Sequence, residues 1–223
     1  MPFYNAAHRA WAPLLLLVGY IFWPIGGVPT WTAGLAWLMH IAADRAFGYG
    51  LRERDGSRVS ERSRQIVEAA LRLAEEGGAE ALTMRALAGR LGIRAPSLYK
   101  HFPDKSAVEA EVIAIAMQDL ARALEASQGG LGVLARAYRA YALAHPHLYR
   151  LMSTGPLPRG LLPAGLEDRT ALPLVKAVDG DPLLARAVWA FAHGMVMLEL
   201  DGRFPPGADL DGAWRAGLAA FAR

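Results

Sequence analysis

Hydrophobic and polar positions divide the chain into an uncharged apolar tract followed by a series of amphipathic stretches. From Ala10 to Ala43 there is no Asp, Glu, Lys or Arg. Its apolar runs, Leu14–Val18 and Trp31–Ala43, flank Pro24-Ile25-Gly26-Gly27-Val28-Pro29, which breaks any helix. The pattern predicts an apolar hairpin of two short helices, Ala6–Trp23 and Trp31–Phe47, with Thr30 capping the second. A cleavable leader is disfavoured, because a second apolar helix follows where a cleavage site should stand. From Arg45 to Arg64 six arginines face three acids (Glu53, Asp55, Glu61), and Gly56-Ser57 gives this stretch the character of a linker.

Beyond the linker the spacing becomes helical. Ile66, Ala70, Leu73 and Ala74 share one face, and Gly77-Gly78 stops their helix. Thr83 is placed to cap a short helix through Leu91, Gly92 turns the chain, and Pro96 fits a first helical turn. A longer helix runs from Lys105 to Ser127 on Val108, Val112, Ile115 and Leu120, and Gly129-Gly130 closes it. The remainder predicts helices at Leu131–Ala144, Leu148–Ser153, Pro182–Leu200 (opened by Asp181) and Leu210–Arg223. Gly155–Gly165 and the Glu167-Asp168 pair read as loop. No fixed-period repeat is present.

Composition agrees with an all-helical protein. Among 223 residues Ala occurs 42 times and Leu 32 times, against 23 for Val, Ile and Thr together. At 53% hydrophobic and 20% charged, the chain buries a sizeable core and is not disordered. Without cysteine it has no disulfide, thiolate zinc site or cysteine nucleophile. It also lacks Gly-x-Ser-x-Gly, a phosphate-binding glycine loop and His-Glu-x-x-His, so no catalytic residue, cofactor or enzyme activity is expected. His145, His147 and His193 invite a metal reading, but no carboxylate stands at a supporting spacing, and no metal is expected.

The net charge of +3 is small, so its placement matters more than its size. Between Thr83 and Lys105 five bases (Arg85, Arg90, Arg94, Lys100, Lys105) stand against one acid, Asp104. That concentration is a footprint for phosphate contacts. Leu87, Leu91, Ile93 and Leu98 are spaced to pack two helices across a tight turn, with Ala88 small at their approach and Gly92 free to take a positive φ. With Ser97-Leu98-Tyr99-x-His101-Phe102-x-x-Lys105, the stretch from Glu61 to Leu124 resembles the DNA-binding domain of the tetracycline-repressor family of bacterial regulators. The resemblance implies a three-helix domain with its helix-turn-helix at about 83–103. Arg94, Ala95, Pro96 and Ser97 would then face base edges in the major groove. Thr83, Arg85, Tyr99, Lys100, His101 and Lys105 would meet the phosphate backbone, while Leu98 and Phe102 belong to the core.

The rest of the chain is similar to a subset of the same family named for a Trp-His-Gly motif, through Ala140–Met152 and Trp189-Ala190-Phe191-Ala192-His193-Gly194. That resemblance implies a homodimer built from the last two long helices. Val188, Phe191, Ala192, Met195 and Leu198 supply a broad apolar face, and Ala185 and Gly194 allow close helix contact. Trp189 and His193, four apart, can touch. They fit either the lining of a pocket for a small apolar effector or a core aromatic with a satisfied histidine. Tyr141, Tyr149, Met152 and Met197 are core residues that would border such a pocket.

The first fifty-odd residues exceed what such a regulator needs. Tyr4-Asn5-x-x-His8, Pro13-Leu14-Leu15-Leu16 and Trp37-Leu38-x-His40-Ile41-x-x-Asp44-Arg45-x-x-Gly48-Tyr49-Gly50-Leu51 resemble the end of a small membrane-protein family. Each apolar run falls short of the roughly 20 residues a spanning helix needs, yet a hairpin can insert. The expected organisation is therefore 1–55 apolar hairpin, 57–127 DNA-binding domain and 130–223 ligand-binding and dimerisation domain. The function expected is a ligand-released repressor that binds a double-stranded, palindromic DNA operator. It would be cytoplasmic and tethered to the inner face of the membrane through residues 10–43. Set against this are a membrane protein with the regulator as fused passenger, an enzyme whose constellation is invisible in sequence, and an N-terminal remnant or start-site error.

Overall fold

The computed structural model of the protein describes residues 61–127 and 129–221. The expected hairpin helices Ala6–Trp23 and Trp31–Phe47, and the arginine-rich stretch up to Ser60, lie outside them. The described residues form helices and connecting turns, with no strand among them.

Helix α1 (Glu61–Ala81) buries Ile66, Val67, Ala69, Ala70, Leu73 and Ala74 on one face. Its axis breaks at Gly77-Gly78, where Gly78 adopts φ 70°, ψ −160°, a backbone region open essentially to glycine alone. The His147 imidazole lies 3.3 Å from where a Gly78 Cβ would stand, so a side chain there would also push on that ring. Helix α2 (Met84–Arg90) starts at Thr83, whose Oγ1 accepts from the Ala86 amide at 3.1 Å. Gly92, at φ 63°, turns the chain into a 3-10 helix, Ala95–Lys100, with Pro96 in its first turn. Asp104 then caps α3 (Lys105–Ala126) by accepting from the Ala107 amide at 2.8 Å.

Behind this front lobe come α4 (Leu131–Ala144), α5 (Pro146–Ser153), α6 (Leu166–Ala177), α7 (Pro182–Leu200) and α8 (Leu210–Ala219). Asp181 caps α7 through the Leu183 and Leu184 amides, and Asp209 caps α8 through the Gly212 amide. The front core gathers Ile66, Ala70, Leu87, Leu98, Val108 and Val112. The rear core gathers Leu120, Leu134, Tyr138, Tyr149, Val196 and Trp214. Helix α3 supplies both, and α5 joins them: Leu148 is buried in the front core and its neighbour Tyr149 in the rear.

Four expectations change. Glu167 and Asp168 occupy the first turn of α6 rather than a loop, where carboxylates complement the helix dipole. Pro173 inside that helix hid its pattern. The final helix ends at Ala219, and the short one begins at Pro146, whose ring is accommodated in a first turn. Most of the apolar face assigned to a partner copy also proves internal, while Leu198 of that face is 43% exposed. Ala185, Val188, Ala192 and Met195 are buried within the chain itself, and Phe191 meets the Trp214 ring edge-on at 5.7 Å. Helical periodicity finds an apolar stripe but does not say which neighbour covers it.

One polar network closes the rear lobe. The Glu199 carboxylate, 5% exposed, accepts from Arg139 Nε at 2.9 Å and from Trp214 Nε1 at 2.6 Å, while Arg139 Nη1 reaches Asp211 at 2.6 Å. It ties α4, α7 and α8 together. Replacing Glu199 by Ala leaves a guanidinium and an indole N–H without their buried acceptor. We expect a loss of about 3 kcal/mol and, for a chain of this size, a fall in Tm of roughly 10 °C by circular dichroism. A fall below about 2 °C would show the network to be dispensable.

Candidate nucleic-acid interface

The 3-10 helix and its flanks present the basic residues of the front lobe, but not all of them equally. Arg90 forms a two-pronged contact with Glu76 of α1, Nη1 to Oε1 at 2.7 Å and Nη2 to Oε2 at 2.5 Å. The guanidinium holds the Glu76 carboxyl below its usual range. The Lys105 ammonium bonds to the Ala79 carbonyl at 3.3 Å and to Glu109 at 3.0 Å. These two cations secure α2 and α3 to the end of α1. Arg85, Arg94 and Lys100, by contrast, are exposed and make no ion pair or side-chain hydrogen bond among the described residues. Three of the five bases are thus open to an external anion.

Around them the other candidate residues separate into two groups. Pro96 and Tyr99 are exposed, Tyr99 at 52%. Arg94 stands at the start of the 3-10 helix in extended conformation, φ −81°, ψ 140°. Ala95 and Ser97 are half-buried, and Ala95 packs on the front core. Thr83 is exposed with its hydroxyl oxygen engaged as a cap. His101 is half-buried with Nδ1 3.3 Å from Ser63 Oγ of α1, so it anchors the turn after the 3-10 helix. Leu98 and Phe102 lie in the core, at 0% and 8% exposure. The Glu76–Arg90 contact spans 14 positions along the chain and has no local sequence signal.

In the rear lobe a chain of hydrogen bonds runs from Tyr138 Oη to Tyr149 Oη at 2.8 Å, buried, and on to the half-buried His193 Nδ1 at 2.7 Å. Burial pushes the Tyr138 phenol up and the Tyr149 phenol further up, so both remain protonated, and desolvation pulls the His193 imidazole down. Trp189, half-exposed, lies with its ring 6.0 Å from that of His193. Tyr141 donates to the Ala116 carbonyl at 2.8 Å. Met152 lies where three apolar clusters meet, and Met197 packs on the rear core. Tyr149, His193 and Trp189 therefore come together. A small apolar cavity of about 40 Å³ nearby is bordered by Leu124, Leu131, Leu134, Leu174, Val188 and Trp189, and of the six pocket candidates only Trp189 reaches it. His145 and His147 stand instead at the end of α1, against Glu75 at 3.8 Å and against Gly78.

Residues 66–112 match the family of bacterial regulatory proteins, tetR family, and residues 131–221 match the tetracyclin repressor-like, C-terminal domain. Residues 2–61 match DUF4260, a domain of unknown function. The uncharacterized HTH-type transcriptional regulator Rv0681 of Mycobacterium tuberculosis is 35% identical over 151 residues, covering 61% of this chain and 69% of the relative. The HTH-type transcriptional repressor KstR of Rhodococcus jostii is 28% identical over 144 residues, covering 63% of this chain but only 53% of that protein. A solved protein of unknown function from Rhodococcus sp. RHA1 superposes with a TM-score of 0.58 at 25% identity, covering 76% of this chain and 97% of its own. TetR-Q116A of Acinetobacter baumannii, solved with minocycline, shares the fold at a TM-score of 0.52 and 22% identity, covering 74% and 94%.

The low imidazole pKa of His193 has a measurable consequence. The folded protein binds fewer protons there than the unfolded chain, so this contribution to stability is complete above about pH 6.5 and is lost as the pH falls below it. His193→Gln keeps an acceptor for the Tyr149 hydroxyl and removes the titration. Between about pH 7.5 and 5.5, urea midpoints of the variant should fall less than those of the native chain. Parallel pH profiles would exclude this role for His193.

Proposed function

This chain belongs to the tetracycline-repressor family of bacterial transcriptional regulators, and we propose that it represses transcription as a homodimer on a two-fold DNA site and is released by a small molecule. The observation that carries the DNA reading is the cluster of Arg85, Arg94 and Lys100, unengaged around the 3-10 helix while their neighbours Arg90 and Lys105 are held internally. Arg94 supplies the fork that reads guanine, and Lys100 and Arg85 supply phosphate contacts. Thr83, Tyr99, His101 and Lys105 position the turn against the backbone, and Pro96 and Ser97 add short contacts to the groove. This reading assigns no catalytic residue.

Support for the dimer comes from the outer side of α7. Leu183, Ala187, Ala190, Gly194 and Leu198 form a stripe at helical spacing, with Leu183 73% exposed and Leu198 43% exposed. Small residues at its centre admit close approach of a second copy. Two protomers with helix-turn-helix units place half-sites about one helical turn apart. The effector reading takes in Tyr141, Tyr149, Met152, Trp189, His193 and Met197 around the rear core, of which Trp189 borders the cavity. The uncharged tract 10–43, followed by the arginines of 45–64, supports a cytoplasmic regulator held at the membrane by a hairpin.

With the two phosphate-directed cations Arg85 and Lys100 on each of two protomers, about four phosphates are neutralised, and the slope of log K against log salt should be about −4. Lys100→Ala should make that slope shallower by about two across the dimer without changing sequence preference. Arg94→Ala should cost about 1–3 kcal/mol per half-site and relax discrimination at one base pair. Fluorescence anisotropy on upstream and random duplexes measures both, and salt-independent binding would refute the interface. Cell fractionation tests the tether: the full chain should sediment with membranes and a version starting at Ser57 should not. Equal solubility and equal DNA binding would remove it.

A further inference from the structure

A groove of about 400 Å³ opens between the end of α3, the start of α4 and α6. Leu124, Leu134, Leu172, Pro173 and Ala177 give it apolar walls, and Glu125, Ser127 and Lys176 stand at its polar positions. Leu124 and Leu134 also wall the apolar cavity of about 40 Å³, so groove and cavity adjoin through two leucine side chains, each 6% exposed. The hydroxyl of Tyr138, whose ring borders the inner end, is already engaged with Tyr149 at 2.8 Å. A polar group driven inward would give up its water without replacement.

The outer end has the opposite character. Glu125 is held by Arg169 through two contacts of 2.7 Å, which cancel each other's charge. Ser127 Oγ donates to the Ala123 carbonyl at 2.8 Å. Lys176 is exposed and has no ion pair among the described residues, so the mouth carries one uncompensated positive charge. An occupant that suits both ends is apolar along its length and anionic at one tip.

We propose that this slot binds an alkyl carboxylate, its chain directed past Leu124 and Leu134 towards Trp189 and its carboxylate at Lys176, and that this class of molecule is the effector. The proposal rests on the ligand-release reading and names its ligand. It also places the ligand at the rear of α3, beside α6 and α7, rather than around Tyr141, Tyr149 and Met152. Seating the chain separates Leu124 of α3 from Leu134 of α4, and so acts on the helix that carries the front lobe.

Calorimetry on the full chain with hexanoate, octanoate, decanoate and dodecanoate, each below its micelle concentration, tests this. Affinity should rise roughly four-fold per added methylene until the slot is filled. Each carboxylate should bind about three- to five-fold tighter than the matched 1-alkanol, as befits an exposed ion pair. Lys176→Gln should remove that preference and keep the dependence on chain length. Affinity that does not rise with chain length, or alcohols that match the acids on the native chain, overturn the assignment. DNA affinity, followed separately by anisotropy, distinguishes the two readings. A carboxylate that binds as described without weakening DNA binding supports the slot and removes its role as effector. Intact DNA binding with no carboxylate bound overturns the slot and leaves the operator reading standing.

Discussion

Helix α5 is under the tightest constraint in the described structure, because eight residues must satisfy two cores at once. Successive helical residues point about 100° apart, so Leu148 and Tyr149 necessarily face different ways. Leu148 is 2% exposed in the front core, and Tyr149 is fully buried in the rear with its hydroxyl shared between Tyr138 and His193. Met152, one turn on, touches the front, rear and α6-facing clusters together, a task suited to an unbranched side chain. Pro146 starts the helix at once after α4, and His147 packs over the Gly78 turn. With both ends and both faces committed, α5 moves only if the two cores move relative to each other.

Charge is sorted along the same division. In the front lobe, Arg90 and Lys105 hold the end of α1 against α2 and α3, which leaves Arg85, Arg94 and Lys100 directed outward. In the rear lobe, Arg139 and Arg169 are matched to carboxylates, and Lys176 stands alone beside an apolar slot. The same residue type therefore does structural work where a carboxylate is within reach and faces solvent where none is.

Much of this was legible in the sequence where local rules decide. Thr83 and Asp181 as caps, Gly92 as the turn, Pro96 in a first turn, and the bounds of α4 and α7 all follow from neighbours within four residues. Contacts between distant residues were not legible. Nothing local links Arg90 to Glu76, Tyr149 to His193, or Arg139 to Glu199. Helix α6 was missed because Pro173 interrupts a stretch with only Leu166 fully buried. The inner face of α7 was assigned to a partner because an apolar stripe looks the same whether its own chain or another copy covers it.

The length of α3 has a mechanical consequence. Its 22 residues span about 33 Å as one rigid rod, with Val108 in one lobe and Leu124 at the wall of the slot. A rod of that length converts angle into displacement: a tilt of about 4° at the rear end carries the front end through about 2 Å. Two such rods in a symmetric pair would change the separation of their tips by up to twice that. A rotation of a few degrees thus becomes a mismatch of the order of one base-pair rise (about 3.4 Å) at the far end.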